Sequence, residues 1–101
     1  LLDKEMAAGV DHWIETLTEA GYYELPELYT PKSGDLIFFD WAMGNDPDHV
    51  GVYLKTIEGY IYTIEGNSAG MVAVRRYRAD DSRIIGYGVL NWVAQQANSG
   101  N

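Results

Sequence analysis

The 101-residue sequence contains no cysteine. It therefore has no disulfide, no thiolate metal site and no thiol nucleophile of its own. Basic residues are also scarce, with seven lysines and arginines against fifteen acids, and only Arg75, Arg76 and Arg78 lie close together. This balance argues against a nucleic-acid partner, which needs a clustered basic face. No apolar run approaches the roughly 20 residues that cross a bilayer, so we expect no membrane span.

What is present suits one compact domain. Apolar residues make up 47% of the chain, which is enough for a single core at this length. A helix is predicted over residues 10–20, because Val10, Trp13, Ile14 and Leu17 recur with helical spacing. Gly21 then provides a C-terminal stop. Residues 22–34 are predicted as a connector, because prolines and glycine interrupt them.

From residue 35 onward the apolar pattern changes to alternation, which predicts β-strands. The expected strands number about five, over residues 36–39, 50–54, 60–64, 71–77 and 84–89. The first of them is apolar throughout, so we expect it to be covered on both sides. A helix followed by strands predicts an α+β fold, in which the N-terminal helix packs on a strongly curved antiparallel sheet.

The most informative polar residues flank one predicted hairpin. His49 begins one strand, and Glu65 with Asn67 ends the next. A three-residue turn at residues 57–59, with Gly59 in the left-handed region, predicts that His49 lies opposite Asn67 and on the same face as Glu65. A two-residue turn at Glu58 and Gly59 would instead move Glu65 to the other face. We favour the three-residue turn, because glycine stands where positive φ is needed.

This arrangement has the chemistry of a general base. A neutral imidazole exchanges protons near neutrality, and it needs a partner that fixes its tautomer. Glu65 or Asn67 can be that partner for His49. Gly51 and Gly66 carry no side chain beside the polar cluster, which leaves room for a substrate backbone. From spacing alone, an ordinary hydrogen-bonded histidine next to a turn remains the simpler alternative.

Other candidates are weaker. His12 falls on the polar side of the predicted helix, where solvation explains it. Four oxygen-bearing residues in one loop, Asp40, Asn45, Asp46 and Asp48, can in principle hold calcium, but they lack the ordered spacing of a dedicated site. We therefore predict no metal and no cofactor. Eight tyrosines and three tryptophans can line a groove for sugars or peptides, or simply pack the core and its rim.

Four segments, in order, resemble a known family. They are Pro31–Trp41, Asp48–Val52, Tyr62–Ser68 and Ile85–Gly88, which read PKSGDLIFFDW, DHVGV, YTIEGNS and IGYG. Together they look like a CHAP domain, the cysteine- and histidine-dependent amidohydrolase/peptidase family. The likeness runs from about Val10 to Val89. It implies a papain-like fold and hydrolysis of peptidoglycan.

The resemblance also implies roles for individual residues. His49 corresponds to the general base, Glu65 to the group that orients it, and Asn67 to an auxiliary polar residue. Phe39, Asp40 and Trp41 match the wall of the substrate groove, to which we add the two glycines above. The family's cysteine begins a helix upstream of every matching segment. We therefore expect residues 1–97 to be a partial domain that lacks this helix, with residues 98–101 as a flexible tail.

The expected function is that of a peptidoglycan amidase or endopeptidase, extracellular or in the cell wall, from a bacterium or a phage. The nucleophilic cysteine is expected from a missing N-terminal segment or another chain, so this chain alone is predicted to be inactive. The alternative is a non-catalytic wall-binding module that uses its aromatic rim. A metal-dependent hydrolase built on His49, Asp48 and Glu65 fits less well, because a second histidine ligand is lacking.

Overall fold

The computed structural model describes residues 9–44, 47–66 and 70–90. These residues form one α-helix, a short 3₁₀ helix and six strands: α1 (Val10–Ala20), β1 (Tyr23–Glu24), the 3₁₀ helix (Pro26–Leu28), β2 (Leu36–Phe39), β3 (His49–Ile57), β4 (Tyr60–Gly66), β5 (Val72–Arg78) and β6 (Ile84–Gly88). The strands make one antiparallel sheet in the order β1-β6-β2-β3-β4-β5, which does not close on itself. The predicted α+β class is therefore confirmed.

Helix α1 has the predicted bounds and the predicted end. Gly21 adopts a left-handed conformation with φ of 82°, which only glycine reaches without strain. Its N–H donates to Thr18 O, and the N–H of Tyr22 donates to Leu17 O, so two of the last four carbonyls of the helix are satisfied. Trp13 differs from the expectation of an inward position, since its side chain is 40% exposed.

The prediction of about five strands is one short. The additional strand, β1, lies in the stretch predicted as a connector, where Tyr23 pairs with Gly88 and Glu24 with Tyr87 of β6. Two residues are too few to show an alternating pattern, because alternation is recognised over four residues or more. Pairing with β6 alone makes this segment a strand.

The sheet has two covered faces, and β2 is buried on both. On one face, Val10 from α1 packs with Phe38 and Val50. The other face holds a cluster of buried residues from four strands: Ile37, Phe39, Tyr53, Ile61, Ile84 and Tyr87. Ile37, Phe38 and Phe39 are fully buried, as the continuous apolar run predicts. The candidate site lies at the edge of the second cluster, next to Phe39.

The β3–β4 turn corrects one prediction. Ile57 pairs with Tyr60, so the loop has two residues, and both take positive φ: 51° at Glu58 and 83° at Gly59. This is the signature of a type I′ turn. The three-residue turn was therefore the wrong choice, because Glu58 adopts a left-handed conformation that a glutamate rarely takes.

A second irregularity offsets the shorter turn. The register of β3 shifts between Tyr53 and Lys55, as at a β-bulge, so that Val52 pairs with Ile64. This is the pairing that a three-residue turn would have produced. The extra residue in β3 therefore returns Val52 and Tyr53 to the predicted register, and His49 and Glu65 lie on one face as predicted.

Some predictions fall outside the described residues. The boundary at residue 97 and the tail at residues 98–101 lie there, as do Asn67 in the candidate site and Asn45 and Asp46 in the acidic loop.

Candidate active site at the start of β3

The site is centred on one short contact between neighbouring strands. His49 is the first residue of β3 and Glu65 is the last but one of β4. His49 Nε2 lies 2.6 Å from Glu65 Oε1. The imidazole is 14% exposed and the carboxylate only 2%. A partly accessible histidine therefore rests on a buried acid.

The second carboxylate oxygen is held as firmly as the first. Thr63 Oγ1 donates to Glu65 Oε2 at 2.5 Å, and Tyr77 Oη donates to the same oxygen at 2.6 Å. Thr63 lies two residues before Glu65 on the same face of β4, and Tyr77 comes from β5, where it pairs with Ile61. Three strands thus contribute donors to one carboxylate.

These contacts determine the charge of the site. Burial by itself raises the pKa of Glu65, but the hydrogen bonds from His49, Thr63 and Tyr77 outweigh it and hold this pKa below its ordinary value of 4.5. Burial and the bond to Glu65 raise the pKa of Tyr77. Near neutral pH the glutamate is therefore an anion and the tyrosine a neutral donor.

The geometry also assigns the tautomer of the neutral imidazole. A carboxylate only accepts hydrogen bonds, so Nε2 of His49 must carry the proton that it donates to Glu65 Oε1. Nδ1 is then the unprotonated nitrogen of the neutral ring. The pair can accept a proton at Nδ1, and the fixed negative charge of Glu65 stabilises the imidazolium that results.

Aromatic rings surround the histidine. The rings of Phe39 and Trp41 stack at 4.6 Å, and the ring of Tyr77 lies 4.9 Å from Phe39 and 5.4 Å from Trp41. The imidazole lies 5.7 Å from Phe39 and 5.5 Å from Trp41. These apolar walls keep the local dielectric low, which strengthens the interaction between His49 and Glu65.

Gly51 lies against the side chain of Glu65. A methyl group at this position would lie 2.7 Å from Cγ of Glu65, which is far inside normal contact distance. The side chain of Glu65 therefore occupies the space beside Gly51, where room for a substrate backbone was predicted. Gly66 is also buried, and it pairs with Val72 of β5.

The predicted groove wall is only partly at the surface. Phe39 is fully buried beneath the histidine, and Asp40 is 7% exposed, with its Oδ1 accepting from the N–H of Gly44. Trp41 is half-buried and carries the guanidinium of Arg83 4.8 Å from its ring centre. Of these three residues, only Trp41 presents a substantial surface to a ligand.

The acidic loop uses its described carboxylates to hold its own backbone. Asp48 accepts from the N–H groups of Trp41 and Ala42, while Asp40 accepts from Gly44. Within residues 9–44, 47–66 and 70–90, no group of three or more acidic or histidine side chains could hold a metal ion. Asp48 is therefore a positioning residue for the loop that carries Trp41.

Sequence analysis did not identify Thr63 and Tyr77. Thr63 carried a usable signal, because residues two apart on a strand share a face, and Thr63 stands two before Glu65. Tyr77 carried none, since only the pairing of β4 with β5 brings it to the carboxylate. Asn67 lies outside the described residues.

Comparisons with protein-family models, curated proteins and solved structures found no match to this chain. In the part of the chain that the structure describes, no helix has the length and apolar character needed to cross a membrane.

Proposed function

We propose that this chain is the base-bearing part of a cysteine-dependent peptidoglycan hydrolase of the CHAP type, with a papain-like fold, acting outside the cell or in the cell wall. The observation that carries the proposal is the 2.6 Å contact between His49 Nε2 and Glu65 Oε1. It gives the histidine a fixed tautomer, an adjacent anion and limited access to solvent. These are the requirements of a general base.

The reaction follows from the unprotonated Nδ1. A cysteine thiol outside these residues gives its proton to Nδ1, and the thiolate attacks the carbonyl carbon of a peptidoglycan amide. The tetrahedral intermediate collapses to a thioester as the amine leaves with the proton from Nδ1. Water then gives a proton to Nδ1 and attacks the thioester, which releases a carboxylic acid and restores the thiol. Glu65 stays ionised throughout.

The nucleophile does not come from the hydroxyl closest to the pair. Thr63 is fully buried, and its Oγ1 donates to Glu65 rather than to the imidazole. The sequence contains no cysteine. The proposal therefore needs a cysteine from a preceding segment of the same protein or from another chain.

Burial of the pair favours an enzyme over the wall-binding alternative. An ionised carboxylate taken out of water loses several kcal/mol of hydration, which partners must offset. A surface that only holds a polymer has no use for such a group beneath a histidine. An exposed aromatic rim would be sufficient, and Trp41 offers only part of one.

The test uses the full-length product of the gene with purified peptidoglycan. We expect alkylation of a thiol to stop hydrolysis, and mass spectrometry of the products to show new amino and carboxyl ends. His49→Ala should lower the rate by about a thousandfold or more. His12→Ala is the matched control, because the only other histidine lies exposed on α1, and it should leave the rate unchanged.

The 101-residue chain alone should show no hydrolysis, since loss of a nucleophile can lower such rates about a million-fold. Hydrolysis that survives both alkylation and His49→Ala would overturn the proposal. Binding of peptidoglycan by the full-length product without cleavage would favour the wall-binding module instead.

A further inference from the structure

Glu65 has two oxygens, and only one of them faces the histidine. The terminal torsion of a glutamate side chain is broad and nearly two-fold. A carboxylate anchored at a single oxygen can therefore turn away from its partner. In this protein the other oxygen is anchored twice, by hydroxyls on two different strands.

We propose that Thr63 and Tyr77 are positioning residues that hold the carboxylate of Glu65 so that its Oε1 stays on Nε2 of His49. The inference rests on the proposed function, in which this contact fixes Nδ1 as the base. Neither hydroxyl contacts the imidazole or the reacting atoms. Both act through the glutamate.

The arrangement suits such a function better than one hydroxyl would. Thr63 approaches from the same strand as Glu65, and Tyr77 from β5, so the two donors fix the carboxylate from different directions. Both are neutral donors that add no charge to compete with the imidazole. Thr63 is β-branched and fully buried, so its hydroxyl is held in a restricted rotamer.

A purely structural function is the competing explanation. Two hydroxyls can simply satisfy a buried acceptor, whose burial without partners would lower the free energy of unfolding. That function predicts a lower melting temperature and nothing more at His49. Positioning predicts in addition that the ring nitrogens of His49 respond when a hydroxyl is removed, although no atom of the ring has been touched.

The experiment measures the imidazole nitrogens of the 15N-labelled full-length product by long-range 1H–15N NMR. In the parent protein we expect His49 to show the tautomer protonated at Nε2. In Tyr77→Phe and in Thr63→Val, the Nε2 proton should exchange with solvent about fivefold faster, which corresponds to one net hydrogen bond. The second tautomer should also become detectable.

Three controls keep the result specific. Thr63→Ser retains the hydroxyl and should keep the parent signal. Tyr53 belongs to the same buried cluster, but its hydroxyl bonds to Thr56 and not to Glu65. Tyr53→Phe should therefore leave the His49 signals unchanged. His12 provides an internal reference in every spectrum.

Unchanged His49 signals in Tyr77→Phe would overturn the inference, whatever happens to the melting temperature. Tyr77→Phe removes only one oxygen from a half-buried ring. If Thr63→Val fails to fold, Tyr77→Phe alone decides whether the positioning inference holds. Altered signals combined with a full-length product that never cleaves peptidoglycan would leave the positioning intact and refute the proposed function. The two failures are therefore distinguishable.

Discussion

Two buried carboxylates in this protein share one kind of partner and differ in the others. Asp35 and Glu65 are 0% and 2% exposed. Each accepts a hydrogen bond of 2.6 Å from a tyrosine hydroxyl, Tyr29 for Asp35 and Tyr77 for Glu65. Their further partners differ. Asp35 accepts from the backbone N–H of Lys32, whereas Glu65 accepts from the imidazole of His49.

The partners of Asp35 hold a backbone turn, whereas those of Glu65 include a histidine. Asp35 closes a turn, because its own N–H donates to Lys32 O while its carboxylate accepts from Lys32 N. The donors to its carboxylate, Tyr29 and Lys32, precede it by six and three residues, and its backbone carbonyl accepts from the N–H of Tyr53. Glu65 accepts hydrogen bonds from residues of three strands. One of these donors is the imidazole of His49, which can gain and lose a proton. A buried acid among tyrosines can therefore have a purely local function, and under the proposed function only Glu65, which bonds to a histidine, has a chemical one.

Exchange of each carboxylate for its amide should give the largest difference in activity between the two acids. In the full-length product, Glu65→Gln should lower the rate of peptidoglycan hydrolysis by about a thousandfold, because a neutral amide cannot stabilise the imidazolium. Asp35→Asn should leave the rate close to that of the parent. Initial rates at equal concentrations of folded protein measure both.

The assignment of chemistry to Glu65 alone would be wrong if Asp35→Asn lowered the rate as much as Glu65→Gln. Circular dichroism of both variants at the assay temperature ensures that unfolding does not imitate a catalytic defect.

The free energy of unfolding should depend on Asp35, although the rate of hydrolysis should not. Asp35→Ala leaves the hydroxyl of Tyr29 and the N–H of Lys32 without this acceptor, which should lower the free energy of unfolding by about 1–3 kcal/mol. For a domain of this size, each kcal/mol lowers Tm by about 4–8 °C. Combining Asp35→Ala with Tyr29→Phe should recover part of the loss, because one stranded group is removed as well. Thermal melts of the parent, Asp35→Ala and the double variant test this, and equal melting of Asp35→Ala and parent would refute it.

The pH dependence of stability tests the contribution of the Glu65 carboxylate. Its pKa is lowered on folding, so its contribution is fully present above the unfolded value of about 4.5 and is lost as pH falls through the lower folded value. Glu65→Gln has no such proton to bind. Its melting temperature should therefore fall less than that of the parent on acidification below pH 4.5.

Asp80→Asn is the control for this measurement, since Asp80 also has a lowered pKa but lies exposed in an ion pair with Arg78. Its effect should be small, because exposed pairs are weak. A Glu65→Gln variant that follows the acid profile of the parent would show that this carboxylate contributes no pH-dependent stability.

Much of the fold could be predicted from local patterns. The helix over residues 10–20, its end at Gly21 and the doubly buried strand at residues 36–39 all follow from spacing within a few residues. Strand β1 could not be predicted, because two residues have no period. Curvature and family membership remain predictions.

The contact between His49 and Glu65 was predicted from a three-residue turn that the structure does not contain. His49 and Glu65 do meet, yet the turn between their strands is one residue shorter than expected, and a bulge near Leu54 offsets it. Neither feature is encoded by alternation alone. The anchoring of Glu65 by Tyr77 was out of reach, because it depends on which strand pairs with β4. Contacts between side chains on different strands follow from register and topology, which local patterns do not contain.

Substitutions at two glycines, Gly34 beside Asp35 and Gly51 beside Glu65, should distinguish the two acids by the smallest changes in stability. Gly34 lies beside Asp35 with φ of 97° and nothing within 4 Å of a methyl group, whereas Gly51 has ordinary φ but faces Cγ of Glu65 at 2.7 Å. Gly34→Ala is therefore destabilising by backbone strain, about 1 kcal/mol, and Gly34→Asn should be milder because asparagine tolerates this conformation.

At Gly51 the limit is space, so the order reverses: Gly51→Asn should melt below Gly51→Ala. The Gly51 variants should also disturb the Nε2 proton of His49, and the Gly34 variants should not. If the same residue were preferred at both positions, the distinction between a turn that needs positive φ and a site that needs room would fail.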